Sequence, residues 1–415
     1  MSQPKLYTGT TADRIERLIN HGIIHKDSAE FLKDTIPTQW SDHCNAWIEN
    51  AIGYFPMPLG IANDIPINEK IYHLPLAIEE TSVIAGLCKM GKLIRQKGTL
   101  NTKPLNSEII GQVPFKHVKF NDMLAKAWHE KTDGWIEETN RIVLQGLKKR
   151  GGGITKIVIH HHNPFLVVHI HCDPCDAMGA NLINQAAEYL KPKFETFFNA
   201  QAITAILSNL NQPRVSASII LDDFDPEHGE KIEAISEWAN IDPHRAATHN
   251  KGIFNGIDAM CIATGNDWRA VSAGGHAFAV KDGQYRALSQ WNFKDKQLKG
   301  TLSIPMGIGT VGGVTKQHPI AKLSLDILNN PNANELAQII VACGLLQNFA
   351  ALYALTDDGI VSGHMRLHIA NMIKEQTLSH ETEILLKQRL EQTLNDSGHI
   401  TQSTLKTLID EIEKP

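Results

Sequence analysis

Lys251 and Asp267 stand sixteen residues apart, with the apolar stretch Ala259–Ile262 between them. A lysine beside a carboxylate inside a closed site keeps its charge and can polarise a carbonyl oxygen. Taken alone, the plainer reading of the pair is a surface salt bridge. Lys251 belongs to a segment, His244–Arg269, that is dense in functional groups on a backbone of small residues. Glu79-Glu80-Thr81-Ser82 directly precedes an apolar run. Acidic residues favour a helix N-terminus, and Thr81 or Ser82 can cap it. A carboxyl there could instead act as a general acid. His364 and His368 fall on one helical face, where two solvated histidines are the simpler reading.

Two further motifs point to broader chemistry. Gly307-Ile308-Gly309-Thr310-Val311-Gly312 has the dinucleotide-binding G-x-G-x-x-G pattern. Pro305 and Pro319 bracket it and no clear β-α-β unit surrounds it, so the pattern lacks its required context. A close backbone crossing near a ligand, where only glycine fits, is the alternative. His169-Ile170-His171-Cys172-Asp173-Pro174-Cys175 carries soft ligands at short spacing, which raises zinc. All of them lie on one short strand and turn, whereas a structural zinc site closes on four converging ligands. An ordinary strand end is expected there and at His160-His161-His162, and no metal is expected.

The elements that must hold these residues can be read from periodicity. Thr11–Lys33 reads as helical, with Gly22 a stop. Pro56, Pro58, Pro66 and Pro75 break the next apolar blocks into strands and turns. Helices are expected over Thr81–Arg95 and Asn121–Arg150, the second ended by Gly151-Gly152-Gly153. Strands follow at Thr155–His161 and Phe165–His171, then a helix over Asp176–Leu190 and a strand over Arg214–Leu221. With Ile109–Phe115 as first strand, residues 107–212 or slightly beyond give β-α-β-β-α-β order, the split βαβ plan. After Gly363 the chain is helical and charged. Leu336–Leu355 is interrupted by Gln338, Gln347 and Asn348 and falls short of the roughly 20 apolar residues of a membrane span, so it reads as a buried helix.

Composition narrows the class. The 40 basic and 45 acidic side chains give a net charge of −5, without the basic excess of a nucleic-acid binder. At 42% hydrophobic residues the chain can fold around a core. Six cysteines in 415 residues are too few for a disulfide framework. Met1–Thr11 has no signal-peptide core, and a cytoplasmic location is expected.

Glu49-Asn50-Ala51-Ile52-Gly53, Glu79-Glu80-Thr81-Ser82-Val83, Asp176-Ala177-Met178-Gly179-Ala180-Asn181, His249-Asn250-Lys251-Gly252, Thr264-Gly265-Asn266-Asp267-Trp268-Arg269, Gly309-Thr310-Val311-Gly312-Gly313, Gly344-Leu345-Leu346-Gln347-Asn348 and Gly363-His364-Met365 follow one another along the chain. In this order they resemble the class II, bacterial-type 3-hydroxy-3-methylglutaryl-coenzyme A (HMG-CoA) reductases, from about residue 14 to about residue 371. Each motif alone is weak; the ordered set is specific. The resemblance implies an α+β fold. Residues 1–106 and 213–362 would form a large substrate-binding and dimerisation domain. Residues 107–212 would be an inserted ferredoxin-like NAD(P)-binding domain, and 363–415 a mobile C-terminal helical flap.

The resemblance also implies interconversion of HMG-CoA with (R)-mevalonate plus CoA. Two successive hydride transfers with NAD(H) or NADP(H) would pass through enzyme-bound mevaldyl-CoA and mevaldehyde, with CoA as co-substrate. It places the proton donor on Glu80, the oxyanion-stabilising lysine on Lys251, its orienting aspartate on Asp267 and the thiolate-protonating histidine on His364. Its substrate contacts match Ser82, Arg245, Thr248, Asn255, Asn209 and Asn348. Its cofactor contacts match Asp176, Ala177, Met178, Gly179, Ala180, Asn181 and Gln347. It implies a homodimer or higher oligomer with sites at the subunit interface, and neither nucleic acid nor membrane as partner.

The sequence departs from the family at Thr81, where proline is common. NADH-using members carry an acidic residue shortly before the triple glycine. Here the neighbourhood holds Arg141, Lys148, Lys149 and Arg150, which suit a 2′-phosphate and equally complement a helix C-terminus. The amino-terminal membrane domain of eukaryotic relatives is missing, so a soluble protein is expected. A reductase of another carboxylated acyl-CoA thioester would use the same residues. A non-catalytic CoA- or nucleotide-binding protein would have lost one of Glu80, Lys251, Asp267 and His364, and all four are present.

Overall fold

The computed structural model describes residues 9–27, 41–105, 108–212, 215–356, 369, 373, 376, 378–397 and 400–413. Contacts divide the chain into two compact units, Met1–Pro58 and Leu59–Pro415. In the first, helix Thr11–Asn20 opens on a capping box. Thr10 accepts from the Asp13 amide, and the Asp13 carboxylate takes the Thr10 N–H at 2.7 Å. The helix stops at Asn20, with Gly22 at φ +68° just beyond, where the stop is expected; residues 28–33 lie outside the described residues. Arg14 is buried, and its guanidinium donates to the carbonyls of Ala51 at 2.9 Å and Gly9 at 3.1 Å and to Asn45. A buried charge needs such partners, and these fix the Glu49–Gly53 motif to the first helix.

The second unit begins with the hairpin β1 (Leu59–Ile67) and β2 (Lys70–Ala77), turned at Asn68-Glu69, both at positive φ. Helix Val83–Lys97 and strand β3 (Gly98–Pro104) follow. Next come β4 (Ile109–Lys116), helix Asp122–Ile142, β5 (Gly153–His162), β6 (Phe165–Asp173), helix Ala180–Phe198 and β7 (Ile206–Ser208). This is β-α-β-β-α-β order in an antiparallel sheet β5-β6-β4-β7. Trp128, Leu190, Phe194 and Phe198 fill a separate core between its helices and one sheet face.

Several expectations need correction here. The fourth strand is Ile206–Ser208, not the segment from Arg214. β8 (Val215–Leu221) lies instead in the other sheet, between β12 and β3. Three residues are too few to show a period of two, whereas β8 is paired on both sides and alternates buried with half-buried residues. The helix expected to Arg150 ends at Ile142. A one-turn helix, Gln145–Lys148, follows and turns Leu144 and Leu147 into the core. The helix expected from Asp176 starts at Ala180, because Cys175 and Gly179 take positive φ and Asp176–Gly179 turns instead.

Histidines and cysteines of the zinc-like motif also part. Alternation sends Cys172 into the core, where burial pushes its thiol up to about 12, while His169 and His171 project from the opposite face. Among the described residues no group of three or more His, Cys, Asp or Glu is placed to hold a metal.

The remaining strands are β9 (Val280–Lys281), β10 (Gln284–Tyr285), β11 (Ser289–Lys294) and β12 (Gln297–Ile304). β11-β12-β8-β3 form an antiparallel sheet. Helix Ala333–Thr356 packs on it and on helix Pro243–Ala263. A Cβ on Gly344 would stand 2.7 Å from Ile257 Cγ1, so the two helices meet at a contact that only glycine permits. Among the described residues this is the one helix long and apolar enough to cross a membrane, and 78% of its apolar window is buried inside the protein. A helix apolar on all sides is a core helix when the protein surrounds it. Helices His380–Ser397 and Gln402–Glu413 pack around Leu386, Leu390, Ile400 and Leu405.

Candidate active site

Helix Pro243–Ala263 carries most of the expected substrate residues. Asp242 caps it, accepting the His244 amide at 2.9 Å, and Pro243 opens it. Arg245, Thr248, Lys251 and Asn255 recur every three or four residues and so share one face. Thr248 and Lys251 are exposed, and Arg245 and Asn255 half-buried. The adjoining inner face, with Ala246, His249, Asn250, Ile253 and Ile257, is core. Asn250 fixes the helix rotation: its Nδ2 donates to the Arg286 carbonyl and its Oδ1 accepts the Leu288 amide, both at 2.9 Å.

Lys251 Nζ lies 2.6 Å from Glu80 Oε2, joining two motifs 171 residues apart in sequence. Glu80 precedes helix Val83–Lys97, whose N-cap is Ser82. Ser82 makes no side-chain capping bond and takes φ +73°. A non-glycine residue in that region is strained, and such strain gathers at functional sites. The cap expected of Ser82 is therefore not formed.

Asp267 and Lys251 are not bonded to each other. Asp267 Oδ1 caps helix Trp268–Phe278, accepting the amides of Arg269 at 3.1 Å and Ala270 at 3.2 Å, and pairs with Arg269 Nε at 3.1 Å. Helix capping and Arg269 thus take up Oδ1 of the carboxylate that the resemblance assigns to orienting the lysine.

A second cluster surrounds the Asp176–Asn181 turn. Ala177, Met178, Gly179, Ala180 and Asn181 line a cleft of about 310 Å³, faced by Gly265–Asp267 and Gly309–Thr315. The Thr310 N–H ties the turn to the glycine-rich run, donating to the Asp176 carbonyl at 2.9 Å, and the run is held in its place by the Gly309 N–H, which donates to Asn266 Oδ1 at 2.9 Å. Asp176 itself spends Oδ1 on the Ala333 amide at 3.0 Å. The glycine-rich run is a backbone crossing, not a β-α-β fingerprint: a Cβ on Gly309 would lie 2.4 Å from Met178 N. Gly309→Ala is expected to destabilise the protein by about 1–3 kcal/mol. Gly307→Ala, whose Cβ would meet nothing closer than Asn211 Nδ2 at 3.9 Å, is the near-neutral control in urea unfolding.

The other expected residues sit elsewhere. Asn209 is exposed beside a small cavity shared with Met178 and Ala270. Gln347 is buried, and its Oε1 has no hydrogen-bond partner. Asn348 is 1% exposed, with Oδ1 accepting from Ser289 Oγ and Trp291 Nε1, both at 2.8 Å. Its Nδ2 lies 3.4 Å from the His249 carbonyl, on the helix that carries Lys251. His364 lies outside the described residues. Arg141, Gln145, Lys148 and Lys149 line a groove of about 560 Å³ with Ile136, Asn140 and Ile154.

Periodicity gave no sign of three further groups: Ser289 and Trp291, which hold Asn348, and Asp258. Burial raises the Asp258 carboxyl to about 6, although Ser272 Oγ donates to it at 2.8 Å. The native state therefore binds a proton that the unfolded chain releases near 3.8, and the stabilisation present below that pH is lost as pH rises through about 6. Asp258→Asn keeps an acceptor for Ser272 and is expected to stabilise the protein at pH 7.5 by about 1–3 kcal/mol. His169, held near 4 by burial and then by the charges of His160, His171 and His162, acts in the opposite sense. So does His249, held near 3 by burial and then by Arg245. Their contribution is full above about 6.5 and is lost as pH falls through those values. Urea unfolding from pH 8 to 4 reads both signs; an Asp258→Asn protein weaker than the parent at pH 7.5 would contradict the first.

A family model described as hydroxymethylglutaryl-coenzyme A reductase matches residues 11–369. The 3-hydroxy-3-methylglutaryl-coenzyme A reductase of Archaeoglobus fulgidus is 38% identical over 380 residues, covering 89% of this chain and 86% of that one. The solved reductase of Streptococcus pneumoniae superposes with a TM-score of 0.75 at 35% identity, covering all of both chains. A structure of the class II enzyme from that organism bound to NADPH, in open conformations, gives 0.73 at 37% identity over 86% of this chain and all of that one.

Proposed function

This chain belongs to the hydroxymethylglutaryl-coenzyme A reductase family, in its class II branch, and we propose that the Lys251–Glu80 pair is its reacting centre. The protein is an NAD(P)H-dependent oxidoreductase that interconverts HMG-CoA with mevalonate and CoA. Its mixed helix and sheet fold is similar to that of the Streptococcus pneumoniae reductase. The observation that carries the residue assignment is the 2.6 Å contact between Lys251 Nζ and Glu80 Oε2.

The Asp176–Asn181 cleft fits a dinucleotide. It opens on the N-terminus of helix Ala180–Phe198, where free amides favour phosphate, and its Gly309 wall lets backbone approach closely. Two NAD(P)H molecules bound there in succession would each supply one hydride. Ala177, Met178, Gly179, Ala180 and Asn181 would line its site, with Gln347 a further contact and Asp176 holding the turn. The groove of Arg141, Lys148 and Lys149 suits the 2′-phosphate of NADPH. On this reading residues 107–212 are a ferredoxin-like cofactor domain inserted into a large domain of residues 1–106 and 213–362.

Lys251 holds its ammonium against the thioester oxygen and stabilises the charge that grows there as mevaldyl-CoA forms. Asp267 contributes from the cleft wall and orients Lys251, with Oδ1 anchored by its helix cap and Arg269. His364 gives a proton to the departing CoA thiolate. Glu80, once protonated in the closed site, then gives that proton to the mevaldehyde oxygen as it becomes the alcohol of mevalonate. Arg245 pairs with the free carboxylate of the substrate, while Ser82, Thr248, Asn255 and Asn209 bind the rest. The C-terminal segment 363–415 acts as a flap that excludes water. The working form is a cytoplasmic homodimer or larger assembly with sites at the interface.

Initial rates with HMG-CoA, and with mevalonate plus CoA, each with NADPH/NADP⁺ and NADH/NAD⁺, test this reading. Turnover of HMG-CoA with preference for NADPH is expected, and Gly309→Ala should raise the cofactor KM. Turnover only of another carboxylated acyl-CoA would replace the substrate while keeping the site.

A further inference from the structure

Two polar atoms on helix Pro243–Ala263 are shut off from solvent without a hydrogen-bond partner: Arg245 Nε and His249 Nδ1. They stand one turn apart. A chain of bonds from the core fixes which of them donates. Trp291 Nε1 can only donate, and it gives its hydrogen to Asn348 Oδ1 at 2.8 Å. Asn348 Nδ2 faces the His249 carbonyl, which can only accept, at 3.4 Å, so the amide orientation is set from both ends. Ser289 Oγ has one proton and lies 2.8 Å from the same Oδ1, so that proton goes to Asn348. Its 2.6 Å contact with His249 Nε2 is then one it accepts. His249 carries its hydrogen on Nε2, and Nδ1 is a bare acceptor. Burial, and after it the Arg245 charge, keeps the ring neutral.

Arg245 Nε–H is thus an unpaired donor, and His249 Nδ1 an unpaired acceptor of the complementary kind. In this structure the guanidinium lies instead over the Trp238 ring, with Cζ 5.8 Å from its centroid. We propose that His249 is a positioning residue for Arg245, closing an Nε–H···Nδ1 bond when a substrate carboxylate draws the guanidinium to it. The two Nη groups are then left to grip the carboxylate end-on, the bidentate arrangement that discriminates by shape as well as charge. The Ser289–Asn348–Trp291 chain serves the site by holding the one tautomer that can accept; the other would set a donor against a donor. The inference rests on Arg245 as the partner of the substrate carboxylate.

Two substitutions separate this role from simple packing. Glutamine at 249 places its amide near the Nε2 position and keeps the donor to Ser289. Asparagine places an oxygen near the Nδ1 position and keeps the acceptor. H249Q is expected to raise the KM for HMG-CoA about tenfold, with kcat and the KM for NADPH within about twofold of the parent. H249N should stay near the parent in all three. In an R245A background H249Q should add nothing, because the pair acts as one unit. An H249Q protein with unchanged KM, beside an R245A protein whose KM rises, would overturn the inference alone. Equal effects of H249Q and H249N would also overturn it. An R245A protein with unchanged KM for HMG-CoA would instead remove the carboxylate reading beneath it. If the His249 variants do not fold, S289A frees the tautomer while keeping the ring. A rise in the KM for HMG-CoA but not for NADPH supports the inference, and no change overturns it.

Discussion

Lys251→Ala lowers kcat for HMG-CoA reduction by roughly a thousandfold or more. Removing one neutral oxyanion donor from an enzyme typically costs 10²–10³, and an ammonium in a closed site carries a full charge. The fold should not notice the change. Lys251 and Glu80 side chains are 58% and 38% exposed, and exposed ion pairs add little to stability. The thermal midpoint and the KM for NADPH therefore stay near the parent values while kcat collapses. A Lys251→Ala enzyme within tenfold of the parent would mean that another group carries the oxyanion.

Glu80→Gln lowers kcat by about 10²–10⁴, the range of a lost general acid. The amide oxygen still accepts a hydrogen bond from Lys251, so the ion pair is removed with little change of shape. Supplying mevaldehyde directly isolates the step assigned to Glu80, and the variant should be as slow there as in the full reaction. Because the two residues touch, the Lys251→Ala, Glu80→Gln double variant should be little slower than the slower single one. Parent-like mevaldehyde reduction by Glu80→Gln would remove the proton-donor assignment and leave Lys251 untouched.

Long periodic segments were legible in the sequence. The helix expected over Thr81–Arg95 is found at Val83–Lys97, and the apolar stretch Leu336–Leu355 is the buried helix Ala333–Thr356. Short or tightly turned pieces were not. Ile206–Ser208 has too few residues to alternate visibly, so the pattern points to β8 as the strand that closes the first sheet. Asp176 sits in a turn made by positive φ at Cys175 and Gly179, a choice that hydrophobic pattern does not record.

The site shows the same division. The family resemblance singles out Glu80 and Lys251, and they meet. Which carboxylate the lysine meets depends on tertiary geometry: Asp267 Oδ1 serves its own helix cap and Arg269, while Glu80 Oε2 lies 2.6 Å from Lys251. Asn348 has the residue type of a substrate ligand, but its neighbours Ser289 and Trp291 arrive from a strand far away in sequence. No local pattern announces that network, and it alone fixes the His249 tautomer.

The most direct measurement is the number of NADPH molecules oxidised for each CoA thiol released when the purified protein is given HMG-CoA. The Lys251–Glu80 centre predicts two for each thiol, with mevalonate as product and the whole signal lost in Lys251→Ala. A single NADPH per thiol, or the same ratio and rate without Lys251, would contradict it.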